Sequence, residues 1–357
     1  MDQPARKNEG SGSTTTILGG MFGLAEPSAA TGSPAAFLGP GALRLANARS
    51  GMKLLVEALR PERVWLPSFL CESLIEPIAS AGLDLCFYSV DSSLQVQVDP
   101  GLDALRSGDL LVQIHYFGFP VDRRLAALAR ERGAHVVDDA AQALLSSQVG
   151  SDSDFVLTSP RKFVGVPDGA TLTGPGCDQL TFPPLGDPPT AWAAAALAAS
   201  TERAAFDAGS GDRAWFEQFQ EVEKTQPTGA FAMSALGSRL LDTSFDWGEI
   251  ARKRRANYRQ ILSRLSDCAL FPELPDSVVP LGFPVRLAER DRVRADLMAA
   301  QIYPPVHWPV PDRVPSKFAV SRQLAAEIMT LPCDQRYGAD DMDRVVSVLQ
   351  RSLRNTG

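Results

Sequence analysis

From about residue 48 the chain alternates between two spacings of apolar positions. "SGMKLLVEALR" (50–60) carries them three and four apart and predicts a helix opened by Ser50. "RVWLP" (63–67) predicts a short strand stopped by Pro67, and "CESLIEPIASAG" (71–82) a helix that ends near Gly82. "LDLCFYSV" (83–90) predicts a strand. "DLLVQIHYFG" (109–118) is a continuous apolar run, the mark of a strand buried on both faces. "DRRLAALARERG" (122–133) predicts a helix with a glycine stop, "AHVVDDAAQA" (134–143) a strand running into a turn, and "DFVLTS" (154–159) another strand. Strands alternating with helices of about a dozen residues predict an α/β fold with a mixed, mostly parallel sheet covered on both faces. Ligands in such sheets sit at the carboxyl ends of strands. Pro67-Ser68, His115-Tyr116 and Asp138-Asp139 fall there.

Farther on, "FDWGEIARKRRANYRQILSRL" (245–265) predicts a long amphipathic helix that bridges two domains. "VVPLGFPVRL", "DRVRADLMAAQI" and "ADDMDRVVSVLQRSL" then read as strand, helix and helix of a compact α+β unit. The expected organisation is a disordered polar N-terminus (1–15), a large α/β domain (16–245) and a small C-terminal α+β domain (246–357). Residues 185–225, Pro- and Ala-rich and then aromatic-rich, give no clear pattern.

Composition narrows the function classes. With 357 residues, 45% hydrophobic and 22% charged, the chain has an ordinary globular balance. A net charge of −7 argues against nucleic acid as a partner. No apolar run reaches the roughly 20 residues of a membrane helix, and the polar opening has no apolar signal core. The five scattered cysteines fit neither a disulfide framework nor a zinc spacing. A cytoplasmic enzyme with no metal and no membrane contact is the expectation.

Three stretches carry candidate chemistry. "ARSGM" (48–52) opens a helix, where free N–H groups and the Ser50 hydroxyl suit a phosphate; a plain capping serine would read the same. "VVDDAAQA" (136–143) ends a strand in two carboxylates, one to face a cation and the other to face solvent or cap a turn. "SPRKFVGVPDG" (159–169) sets Lys162 after a proline-fixed strand exit, with Gly165 and Gly169 allowing close backbone approach to a ligand. A phosphate anchor, a carboxylate for a ring cation and an amine for a carbonyl are the set that pyridoxal phosphate requires.

"LPSFLCESLIEPIASAGLDLCFYSV", "VQIHYFGFPVD", "VVDDAAQA" and "RKFVGVPDGA", with "RRANYRQIL", "VHWPV" and "LPCDQRYGADDMDRV" later, resemble the DegT/DnrJ/EryC1/StrS family of sugar aminotransferases over about residues 45–355. The resemblance implies a fold-type-I pyridoxal-phosphate transferase. It would be a homodimer that passes nitrogen from an amino acid such as glutamate to a keto-sugar, usually nucleotide-linked. A sugar dehydratase or a catalytically degenerate binding protein of the same fold is the alternative. Lys162 would form the Schiff base and move the proton, and Asp139 would pair with the ring nitrogen. Gln142 would lie by the ring's phenolic oxygen. Ser50 and Gly51, with Ser159 or Thr158, would hold the phosphate. His115 and His307 would contact substrate.

The chain departs from that pattern in three places. Cys71 stands where the family puts an aromatic over the ring, leaving Phe69, Tyr116 or Phe117 to supply one. Leu157 replaces a serine five residues before the lysine. Ala232 replaces a residue that reaches the phosphate across the dimer, a charge for which Arg161 is the candidate substitute.

Overall fold

The computed structural model describes residues 17–28, 35–97 and 100–354, so the expectation for residues 1–15 lies outside the described residues. Its strands are β1 (Leu18–Gly19), β2 (Leu43–Leu45), β3 (Arg63–Pro67), β4 (Asp84–Tyr88), β5 (Leu110–Ile114), β6 (His135–Asp139), β7 (Phe155–Thr158), β8 (Ala170–Thr173), β9 (Phe283–Arg286), β10 (Ile302–Tyr303) and β11 (Ile328–Leu331). Seven of these form one sheet in the order β2-β8-β7-β6-β5-β3-β4, mostly parallel, with β8 antiparallel to both of its neighbours. This is the predicted α/β architecture. Every residue of β5 is buried, as its unbroken apolar run requires of a central parallel strand. The apolar patterns at 63–67, 84–88, 110–114, 135–139 and 155–158 all form strands, and their carboxyl ends converge on one edge of the sheet.

Helices α1 (Ala48–Leu59), α2 (Glu72–Ala79) and α3 (Arg123–Glu131) follow the predicted spans, with one correction. Ser50 does not open α1. Asn47 is the cap, its side-chain oxygen accepting from Ser50 N at 2.9 Å, and the helix begins at Ala48. The stretch that gave no pattern contains α4 (Thr190–Asp207) and α5 (Ala214–Lys224), packed on each other with Trp192 Nε1 donating to Val222 O at 3.1 Å. Then come α6 (Ala235–Thr243) and the long α7 (Trp247–Leu265), capped by Asp246.

On one side of α7, Arg254 donates to the carbonyl of Phe163, the neighbour of Lys162, at 3.3 Å; on the other, Asn257 donates to Asp334 O and Tyr337 O, both at 3.0 Å. The C-terminal region adds α8 (Arg290–Ala299), α9 (Ala319–Glu327) and α10 (Ala339–Arg354) around the antiparallel pair β9–β11. The first described residues run along this region: β1 pairs in parallel with β10, and Gly19 N donates to the Tyr337 hydroxyl at 2.6 Å. Among the described residues no helix is long and apolar enough to cross a membrane.

Candidate active site

Side chains alternate along β6, so Asp138 and Asp139 leave the strand on opposite faces. Asp139 lines a cavity of about 210 Å³ at the carboxyl edge of the sheet, together with Lys162, Gln142, Ser159, Cys71 and His307. The backbone holds the two central groups there. Asp139 Oδ1 accepts from Ala141 N at 3.0 Å in the turn after the strand. Lys162 closes a short 3-10 turn that begins at Pro160, with its own N–H donating to Ser159 O at 3.2 Å. Desolvation by the surrounding protein pushes the Asp139 carboxyl up and the Lys162 ammonium down; the attraction between the two opposes both shifts.

Gln142 spends its oxygen on Phe117 N, which donates at 2.8 Å, while its Nε2 is buried without an acceptor. A buried amide donor without a partner is uncommon, and this one belongs to a residue of the cavity wall. His307 enters from the C-terminal region, where its Nδ1 lies 2.9 Å from Thr330 Oγ1. Desolvation, with a smaller push from Lys162, lowers its pKa to about 3, so it is neutral at physiological pH. Cys71 Sγ accepts from Ser73 Oγ at 3.0 Å. The aromatic in the wall is Trp308; Phe69, Tyr116 and Phe117 are buried outside the lining, with Phe69 and Tyr116 packed 5.7 and 6.4 Å behind the indole. Among the described residues no three His, Cys, Asp or Glu side chains cluster as metal ligands.

Several sequence candidates point elsewhere. Ser50 is fully buried; its hydroxyl donates to Pro227 O at 3.2 Å and accepts from Gly229 N at 3.3 Å, so it does not face the cavity. Gly51 is there for packing: a Cβ would stand 2.4 Å from a Leu157 methyl. Thr158 turns to the other side of β7, where its hydroxyl meets that of Thr171 at 2.7 Å; Ser159, one residue on, is the one at the cavity. His115 is buried on the Asp138 side, with Nε2 3.0 Å from Asp138 Oδ2, and lines neither this cavity nor the larger one beside it. The close approach that Gly165 permits is to the chain itself: a Cβ there would lie 1.9 Å from Gly23 O. Gly169 likewise sits against Met233. Arg161 does reach the cavity, but both its terminal nitrogens are held by the Glu223 carboxylate, at 2.6 and 3.0 Å.

A larger cavity of about 680 Å³ opens beside the first and shares Arg161, Lys162, Glu223 and His307 with it. Aromatics of α5 (Trp215, Phe216, Phe219) line it together with Gly19 to Phe22 and Tyr303. Sequence reasoning missed Trp308, Arg49 and Glu223. Trp308 and Arg49 adjoin residues singled out above, whereas Glu223 sits in the unread stretch.

No protein-family model and no curated protein matches the chain by sequence. Solved structures do match by fold. The aminotransferase TlmJ from Streptoalloteichus hindustanus is 20% identical with a TM-score of 0.65, over 88% of this chain and 86% of that one. A DegT DnrJ EryC1 StrS aminotransferase from Brucella abortus is 18% identical with a TM-score of 0.59, over 87% and 85%. The PMP form of the putative sugar aminotransferase Spr1654 from Streptococcus pneumoniae is 15% identical with a TM-score of 0.64, over 93% and 94%. The chain therefore has the fold of these aminotransferases along nearly its whole length.

Proposed function

We propose that the protein is a pyridoxal-phosphate-dependent aminotransferase that moves nitrogen from an amino acid, glutamate by preference, to a keto-sugar carried on a nucleotide. The observation that carries this reading is one cavity holding the Lys162 amine and the Asp139 carboxylate, with the acceptor-less Gln142 Nε2 in its wall. These residues fit the cofactor. Its aldehyde calls for an amine kept neutral by burial, its ring nitrogen for a carboxylate shielded from water, and its phenolic oxygen for a buried donor. When bound, pyridoxal phosphate supplies a carbonyl that joins to amines and a ring that draws electron density from the substrate carbon.

The chain's own residues do the rest. Lys162 Nζ would take the proton from the substrate carbon bearing the amino group and deliver it to the cofactor's former aldehyde carbon, on the far side of the shared nitrogen. Asp139 would keep the ring nitrogen protonated, and neutral His307 stands between the cavity and the larger cleft, lining both. That cleft supports a substrate bigger than an amino acid. The names of the solved relatives support a sugar, and the homodimer follows from the same resemblance.

The test begins with the near-visible spectrum of the protein after addition of pyridoxal phosphate. The wild type gains the shifted absorption band of the lysine-bound cofactor, Lys162→Ala shows only the band of the free aldehyde, and the variant loses at least about a thousandfold in amine transfer. Incubation with glutamate and a set of nucleotide keto-sugars, followed by mass spectrometry, then identifies the product. A Lys162→Ala protein that keeps full activity overturns the reading, and a deoxy product without new nitrogen turns it to elimination.

A further inference from the structure

The geometry points to Arg49 as the cationic phosphate ligand of this site. The inference rests on the cofactor reading above. With Ser50 and Gly51 turned away, the wall at the start of α1 is made by Ala48, Arg49 and Met52. Asn47 caps the helix through Ser50 N, and among the described residues neither the Ala48 nor the Arg49 N–H has an acceptor. The 12-residue α1 thus brings two free N–H groups and its positive end to the cavity.

The charge inventory singles out the arginine. Cations lining the cavity are Arg49, Arg161 and Lys162; carboxylates lining it are Asp139 and Glu223. Glu223 takes both terminal nitrogens of Arg161 and also accepts from Gln226 Nε2 at 2.9 Å, so that pair is neutral as a unit and only the buried Arg161 Nε is left without an acceptor. In the cofactor reading Lys162 goes to the aldehyde and Asp139 to the ring nitrogen, which leaves neither for the phosphate. Among the described residues the Arg49 guanidinium makes no hydrogen bond or ion pair. A phosphate monoester dianion placed here meets one uncommitted guanidinium whose planar fork suits two phosphate oxygens. Arg49 replaces in the same chain the contact that Ala232 does not provide.

The experiment compares two probes, pyridoxal phosphate and pyridoxal, which differ only in the phosphate. Affinities are read from the near-visible absorbance of the full chain. Arg49→Gln is expected to weaken pyridoxal phosphate about ten- to a hundredfold and to leave pyridoxal within about twofold. Arg49→Lys, which keeps the charge but not the fork, should recover part of the loss. The double variant Arg161→Gln with Glu223→Gln, which removes both charges together, should keep the preference for the phosphorylated probe. Equal loss of both probes in Arg49→Gln overturns the assignment, as does no loss, or loss of the preference in the double variant instead. A wild type that binds pyridoxal as well as its phosphate overturns the assignment while leaving the Lys162 chemistry standing. A wild type that binds neither overturns both.

Discussion

Two adjacent carboxylates end β6, and the protein treats them in opposite ways. Asp138 accepts from Gly150 N at 2.9 Å and Gln113 Nε2 at 3.1 Å, and lies 3.0 Å from His115 Nε2. Burial alone would raise its pKa; the His115 imidazole and the Gly150 N–H outweigh burial and hold it below the ordinary value. Among the described residues the Asp139 carboxylate accepts one hydrogen bond, from Ala141 N, and its pKa is raised. A structural carboxylate is surrounded until its charge is stable. A functional one is desolvated and left short of partners, so that an incoming cation completes it.

Exchanging each carboxylate for an amide breaks the comparison most sharply. Asp139→Asn should lower turnover by about 10²–10³-fold, the scale of removing one electrostatic group aimed at the reacting centre. Its folding stability should hold or rise slightly, because an under-satisfied buried charge is gone. Steady-state kinetics with parallel urea titrations separate the two effects. Asp138→Asn should do the reverse, losing about 3 kcal/mol of stability as the His115 contact fails, with cofactor affinity little changed. If Asp138→Asn abolished cofactor binding while remaining folded, the division of labour along β6 would be wrong.

How much of this was legible follows from the same alternation. The apolar runs of β3, β5, β6 and β7 stood out because strands inside a sheet, covered on both faces, leave continuous hydrophobic text, whereas β4 lies at the sheet edge and is only partly buried. Lys162, Asp139 and Gln142 were legible because their residue types and order match one chemistry. Helix α4 was not: "TAWAAAALAASTERAAFD" is rich in alanine, which suits either face of a helix and blurs the period. Ser50 misled because a serine two residues inside the helix resembles a cap, and the real cap, Asn47, lies just upstream of the quoted "ARSGM". His115 misled because position at a strand end does not reveal which face a side chain takes, and a one-residue step reverses it. Trp308 takes the aromatic place in the wall from the far end of the sequence, a long-range juxtaposition that no local spacing encodes.

His307 makes the stability of the fold depend on pH. His307 is neutral in the fold, with a pKa of about 3 against 6.5 when unperturbed. Between those values the unfolded chain takes a proton that the folded chain refuses, so this residue lowers stability as pH falls. The slope is at most about 1.4 kcal/mol per pH unit, or about 2 kcal/mol between pH 6.5 and pH 5. Denaturant titrations of wild type and His307→Gln across that interval should diverge, the variant losing less. Parallel curves would mean that His307 is solvated and does not form a dry wall beside Lys162.

The smallest effect tests whether the rule read from β6 holds on β7. Thr158 and Ser159 are again neighbours at a strand end, and again one faces the core and the other the cavity. Thr158→Val removes one hydroxyl of a buried pair and strands that of Thr171, which should cost about 1 kcal/mol of stability and leave cofactor affinity unchanged. Ser159→Ala should leave stability nearly unchanged and weaken pyridoxal phosphate by up to about tenfold. Valine matches threonine in shape, so a loss of cofactor affinity in Thr158→Val could not be blamed on collapsed packing. It would place that hydroxyl on the ligand side of the strand and reverse the assignment of both residues.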